Sequence, residues 1–150
     1  MAASARAYGN MLAKVFGSTS TDKVDWVNDT IMVGLLGAGY TPNVDTHIYW
    51  SDVSANEIAA GGGYASGGLA LAGKSIVYDS SAHTVRLKAG TSQWLTSTIS
   101  YRYAAIYKST GTGSTSLLLG YFDPGGTEQD TGGTLSIVWD ATNGIFAFAV

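Results

Sequence analysis

Apolar and polar residues alternate along most of the chain from about residue 30 onward, and this period of two predicts β-strands. Residues 31–36 are apolar on both alternating faces, which is typical of a central strand that is covered on both sides. Residues 84–89 alternate between apolar and polar or charged positions, which predicts a half-exposed strand. Residues 99–108 predict one long strand with three tyrosines on a single face.

The end of the sequence carries a turn signal between two apolar runs. Residues 135–139 and 145–150 flank Asn143 and Gly144, two residue types that tolerate positive φ. The pattern predicts a hairpin that pairs the two runs with each other. Because the second run is almost wholly apolar, we expect a partner or the rest of the fold to cover it.

A helical period is confined to residues 4–16. Ser4 is a candidate cap at the start, and Gly17 is a candidate left-handed residue at the end. A helix this short is marginal in isolation, so it must dock on its own domain or, as an arm, on a neighbouring subunit. Its apolar stripe consists of Tyr8, Met11, Leu12 and Val15.

Short strands separated by glycine-, serine- and threonine-rich segments predict an all-β protein. We expect loops at residues 61–68, 109–116 and 123–133. The fold class expected is a single-domain β-sandwich, immunoglobulin-like or jelly-roll-like, with a short N-terminal helix. We divide the chain into an N-terminal arm or helix, residues 1–20, and a β-sandwich domain, residues 21–150.

The composition narrows the classes of function. The 150 residues contain no cysteine, which excludes disulfides, thiol nucleophiles and cysteine-based metal sites. The net charge of -3 is spread without a basic run, so we expect no nucleic-acid partner, and no apolar run is long enough to predict a membrane partner. Only 13% of residues are charged, whereas serine and threonine supply 16 residues each. A hydroxyl-rich surface is easier to desolvate than an ionic one and suits a protein packed in an assembly.

Candidate catalytic and ligand-binding patterns are weak. Residues 68–75 match the phosphate-loop formula, but a strand-like segment follows where that motif requires a helix, so we expect a turn between strands. His47 and His83 lack metal-ligand spacing, and no nucleophile elbow accompanies them. Asp123, Glu128 and Asp130 could hold a structural Ca²⁺ ion, although we favour plain turn chemistry at Asp123-Pro-Gly-Gly. We predict no enzyme activity, no cofactor and no metal.

Four tryptophans could fill the core, contact another protein or form a platform for a sugar. Each is flanked by loop signals, whereas tryptophans of β-sandwiches commonly fill the space between the sheets. We favour the core and keep the sugar platform as the binding alternative. The residues are Trp26, Trp50, Trp94 and Trp139.

Six phrases of the sequence are distinctive when taken together. They are VDWVNDTIMV (24–33), YTPNVDTH (40–47), DVSANEI (52–58), GYASGG (63–68), YRYAAIYK (101–108) and LGYFD (119–123). In this order they resemble a family of small virion structural proteins of tailed bacteriophages. The resemblance runs from about residue 6 to the end of the sequence. Where typical members carry an acidic stretch before a tryptophan, this chain has KAGTSQ at 88–93.

The resemblance implies a non-enzymatic component of a phage particle, found in the virion after synthesis in the host cytoplasm. Our expectation is a capsid decoration or cement protein that binds the major capsid protein at junctions between capsomers as a small homo-oligomer. The alternative is a tail-associated structural or fibre protein, with tail proteins as partners and a receptor- or carbohydrate-binding role. Candidate contact residues are Tyr8, Met11, Leu12, Val15, Phe146, Phe148 and Val150.

Overall fold

The alternating segments fold into strands that form three antiparallel sheets, in a computed structural model that describes residues 2–150. Within these described residues there is one α-helix, α1, which spans Met11–Val15. The strands are β1 (Arg6–Ala7), β2 (Ile31–Leu36), β3 (Leu69–Ala70), β4 (Ser75–Asp79), β5 (Thr84–Lys88), β6 (Ser92–Tyr101), β7 (Tyr103–Lys108), β8 (Leu118–Phe122), β9 (Glu128–Ile137) and β10 (Phe146–Ala149). The predicted all-β, single-domain class with a short helix is confirmed.

The largest sheet has five strands in the order β1-β8-β7-β2-β3. As its apolar pattern predicted, β2 is an interior strand, paired with β7 along its whole length and with β3 on the other side. Five of its six residues are buried. Side chains from both faces of this sheet therefore contribute to packing.

The other two sheets lie over one face of the five-stranded sheet. One has three strands in the order β10-β5-β4, and the other consists of β6 and β9. The main core cluster joins Ile31, Val33 and Ile106 of the large sheet with residues such as Trp94 of β6 and Phe146 of β10. A second cluster, which includes Tyr8, Tyr40 and Trp50, covers the opposite face.

The predicted long strand at residues 99–108 is wrong. It is divided at Arg102 into β6 and β7, which belong to different sheets. Tyr101 consequently packs in the main core, whereas Tyr103 and Tyr107 contact the second cluster on the other face of the five-stranded sheet. The three tyrosines do not form one row, because the chain passes from one layer to the next between them.

The predicted C-terminal hairpin is also wrong, although its turn exists. Asp140 Oδ1 accepts hydrogen bonds from the backbone of Thr142 and Asn143, and Gly144 has a φ of 83°. The two flanking strands, however, pair with different neighbours: β9 with β6, and β10 with β5. The turn therefore connects two sheets instead of closing a hairpin.

The predicted helix is shorter than its apolar stripe. Arg6 and Ala7 pair with β8, and Ala3 forms a bridge with Trp139, so this segment is extended where a helix was expected. The helix begins after Asn10 and its last turn is closed by Phe16 in a right-handed conformation, so Gly17 does not supply the left-handed cap. Pairing with the sheet outweighs a weak helical pattern.

Two of the three glycine-rich segments are irregular, as predicted, around residues 61–68 and 109–116. The third is partly wrong, because β9 already begins at Glu128 and pairs with β6 through two register shifts. These irregularities fall where Gly132 and Gly133 oppose Ser97 and its neighbours. Glycine in a strand interior commonly marks such a bulge.

Candidate functional site

An apolar groove lies between α1 and the three-stranded sheet, with a volume of about 180 Å³. One wall of the groove is lined by Met11, Leu12, Val15 and Phe16. The other side is lined by Ile76, Leu87, Phe146 and Phe148. Val24, Trp26 and Leu119 complete it, so every lining side chain is apolar or aromatic.

The floor of the groove is held in place by close packing between two sheets. A Cβ at Gly120 would lie 2.4 Å from the Phe146 ring and 2.6 Å from the Arg6 carbonyl oxygen, so only glycine lets β10 approach β8 this closely. Trp26 packs edge-on against Phe146, with ring centroids 6.1 Å apart. Its Nε1 donates to the Lys88 carbonyl oxygen, which satisfies the one polar atom of that ring.

The rim of the groove is exposed. Phe16 is 81% exposed, Ile76 51% and Leu12 47%. A single exposed apolar side chain is ordinary on a protein surface, but a contiguous group around a groove is typical of an interaction site.

Five of the seven contact residues predicted from the sequence line this groove: Met11, Leu12, Val15, Phe146 and Phe148. The helix stripe and the last strand are therefore brought together. The other two lie elsewhere. Tyr8 is buried on the opposite side of the large sheet, where its hydroxyl is 2.7 Å from that of Tyr40, and Val150 follows β10 with 74% exposure.

Sequence reasoning missed two prominent groove residues. Phe16 escapes it because this residue stands at the end of the helical stripe, next to the expected terminating glycine. Ile76 is recognisable only as part of a strand-like segment. An available signal was the run Ile76-Val77-Tyr78, which is apolar at three successive positions and so cannot place every side chain on a covered face.

The hydrogen-bonded titratable groups are arranged for packing. The Tyr40 hydroxyl lies 2.7 Å from that of Tyr8 and 3.0 Å from His47 Nδ1. Burial raises the pKa of both tyrosines above the ordinary phenol value, so they stay neutral at physiological pH. Tyr64 similarly donates to Glu57, and burial raises its pKa too.

The acidic residues considered for Ca²⁺ do not converge. Asp123 pairs with Arg102 at 2.5 Å, and the Arg102 guanidinium lowers the pKa of that carboxyl. Asp130 accepts from Ser97 Oγ, while Glu128 is exposed on β9. Across residues 2–150 no group of three potential metal-ligating side chains occurs. In the same range no helix has the length and apolarity needed to cross a bilayer.

The tryptophans fill the core, as favoured from the sequence. Their exposed fractions are between 2% and 8%, so none presents an open face on which a sugar ring could stack. Trp50 stacks on Tyr107 with centroids 4.3 Å apart, and Trp139 donates to Ser92 Oγ.

Comparison of this chain with protein-family models, with curated proteins and with solved structures finds no match. Its functional interpretation therefore depends on the groove and on the sequence pattern.

Proposed function

We propose that this protein is a non-enzymatic structural component of a tailed-bacteriophage particle, a decoration protein that binds the major capsid protein at junctions between capsomers. The observation that carries the proposal is the open apolar groove, with Phe16 81% exposed at its rim. The phage assignment is supported by the resemblance of the sequence phrases to virion structural proteins.

The groove has the chemistry of a protein-binding surface. Burying a phenylalanine or leucine side chain contributes about 1.5–3 kcal/mol, and the rim offers both Phe16 and Leu12 for such burial. The groove wall contains no charged side chain that binding would have to desolvate. An apolar segment of a partner protein fits this chemistry, and in our proposal that partner is the major capsid protein.

Binding through this surface would stabilise an assembled shell without any chemical step. A protein that binds the assembled state and not the separated subunits shifts the equilibrium towards assembly by mass action. The hydroxyl-rich surface supports the same role, because 29 of the 32 serine and threonine residues are not buried and the chain has few charges. Such a surface can be buried between neighbours at low desolvation cost.

The proposal is tested by stripping the protein from purified particles and adding it back. Restored wild-type protein should raise the temperature at which the particles release DNA. Phe16→Ser should require a protein concentration about 10- to 100-fold higher for the same effect, because the lost burial is worth about 1.5–3 kcal/mol. Leu95→Ser is the matched control, since Leu95 is 68% exposed but lies outside the groove.

Two outcomes would overturn this function. Stripped particles that are as robust as complete ones would remove the cement role. Labelling that locates the protein at the tail tip in a dozen copies or fewer would favour the tail-associated alternative instead.

A further inference from the structure

The outer strand of the three-stranded sheet, β4, is an open edge. Within residues 2–150 its ladder hydrogen bonds go only to β5. Three consecutive side chains on it are apolar and exposed: Ile76 at 51%, Val77 at 42% and Tyr78 at 57%. Ile76 also lies at the rim of the groove, whereas Val77 and Tyr78 do not line it, and the open edge does not depend on the function proposed above.

The edge of β4 lacks the features that normally prevent pairing with another chain. Those features are very short strands, prolines, bulges and charged residues in the strand interior. The five-stranded sheet has very short edge strands, since its outer strands β1 and β3 have two residues each. In contrast, β4 has five residues, no proline, an unbroken register with β5 and an apolar centre.

Backbone hydrogen bonds alternate between the two sides of each strand, and this alternation determines which backbone groups of β4 point outward. The carbonyl oxygens of His83 and Leu87 accept from the β10 side, from Val150 and Ile145. Residues of an antiparallel strand alternate between their two neighbours, so Arg86 is directed at β4 and bonds its partner Val77. Ile76 and Tyr78 consequently direct their backbone N–H and C=O groups away from the sheet.

We propose that β4 pairs antiparallel with β4 of a second copy of this chain, about a twofold axis at Val77. The pairing extends the sheet to six strands, β10-β5-β4 followed by their symmetry equivalents. Ile76 and Tyr78 then face Tyr78 and Ile76 of the second copy, and the outward backbone groups form four hydrogen bonds. A twofold contact of this kind is closed, so it yields a dimer and not a fibre.

The residues on either side of Val77 are complementary under this symmetry. The register places an aliphatic side chain opposite an aromatic one at Ile76 and Tyr78, a pair that stabilises antiparallel sheets. It also places the Ser75 hydroxyl opposite the Asp79 carboxylate of the second copy, a donor facing an acceptor.

Charge complementarity supports a second copy as the occupant. Lys88 makes no salt bridge with any residue in the range 2–150. It neighbours Ser75 on β5, on the same face of the sheet. Asp79 keeps its own partner Arg86, whose Nη2 lies 3.4 Å from Asp79 Oδ2. In the dimer the small Ser75 side chain would separate Lys88 from Asp79 of the second copy, so the long lysine would add a second cation beside that carboxylate. The symmetric pair forms on the other side of the axis.

Crosslinking tests the axis directly, because the natural chain has no cysteine. A non-hydrogen-bonded antiparallel pair has Cα atoms about 4.5 Å apart, which a disulfide can span. Val77→Cys should therefore oxidise to a covalent dimer at tens of micromolar protein. Val138→Cys, at a site that is 53% exposed, is the control and should stay monomeric on a denaturing gel.

Charge substitution at the same position tests the pairing without a covalent bond. Val77→Lys and Val77→Glu each place like charges opposite one another and should raise the dimer dissociation constant about tenfold or more. An equimolar mixture of the two variants should restore the dimer. Analytical ultracentrifugation measures the mass, and circular dichroism checks that each variant is folded.

A wild-type protein that is monomeric at these concentrations would overturn the proposal, as would a dimer that survives Val77→Lys unchanged. A dimer lost in Phe16→Ser but kept in Val77→Lys would place the self-contact in the groove and would also refute it. A capsid-binding defect with an intact dimer would concern only the function proposed above.

Discussion

The five-stranded and three-stranded sheets handle their apolar residues in opposite ways. The larger sheet has apolar clusters on both faces and ends in strands of two residues, so it leaves little surface for other molecules. The smaller sheet buries Phe146 but leaves Ile76, Val77 and Tyr78 exposed. Stability is therefore concentrated in one sheet, and the capacity for contact in the other.

The largest effect is expected where the backbone of the five-stranded sheet is most crowded. A Cβ at Gly68 would lie 1.9 Å from the Val33 carbonyl oxygen, and Gly68 has a φ of 91°. Gly68→Ala should lower the free energy of unfolding by about 3 kcal/mol or more, because backbone strain and overpacking add. Chemical denaturation measures this change.

Gly126→Ala is the matched control for that substitution. A Cβ at Gly126 would have no heavy atom within 4 Å, and this glycine has no positive φ, so its replacement should change stability by less than about 0.5 kcal/mol. Equal effects of the two substitutions would contradict the view that the large sheet determines stability.

Alkaline pH should destabilise the five-stranded sheet. Burial raises the pKa of Tyr8, Tyr40 and Tyr107, which pack on its outer face. Because the folded pKa values exceed the unfolded value of about 10, this stabilisation is complete below pH 10 and is lost as the pH rises further. Phenolate absorbance should rise for these residues only as the protein unfolds.

Tyr107→Phe sharpens that titration. Because burial raises the pKa of Tyr107, its removal should take away part of the absorbance that accompanies unfolding. If the buried phenols titrate reversibly in the folded protein, the expectation fails.

Acid should have a smaller effect, on the turns beside the three-stranded sheet. Hydrogen bonds from the turn backbone lower the pKa of Asp79 through Ala82 and of Asp140 through Asn143. Folded pKa values below the unfolded one stabilise the protein above about pH 4, and this contribution is lost as the pH falls through them. Hydrogen exchange in β5 and β10 should accelerate in that range.

Asp140→Asn sharpens the acid experiment. The amide oxygen can still accept from Thr142 and Asn143, but it does not titrate, so the acid-induced acceleration near β10 should diminish. An unchanged pH profile would show that Asp140 does not contribute to it.

Local sequence patterns predicted two kinds of feature: a strand that is covered on both faces, and a turn whose hydrogen bonds are local. Ile31–Leu36 is apolar on both faces and is buried on both faces. The turn at Asn143 and Gly144 also forms, because its hydrogen bonds are local. The partners of the flanking strands could not be predicted. β10 pairs with β5 and β9 pairs with β6, and both partners are distant in the sequence.

Sequence patterns predicted five of the residues that line the groove but not the groove itself. Apolar patterning identified Leu12 and Phe148, yet nothing local indicates that the helix and the last strand meet. Their meeting depends on Gly120, which lets β10 approach β8, and the crowded contacts there are with the Phe146 ring and the carbonyl oxygen of distant Arg6. Close approaches of this kind depend on tertiary geometry.

The pairing of β1 with β8 has a consequence for how quickly the chain finds its native state. Arg6 is opposite Tyr121, and Met32 is opposite both Tyr107 and Ala70, so the large sheet is assembled from segments far apart in sequence. Loop closure must precede the gain from such contacts, which places refolding in the range of milliseconds to seconds.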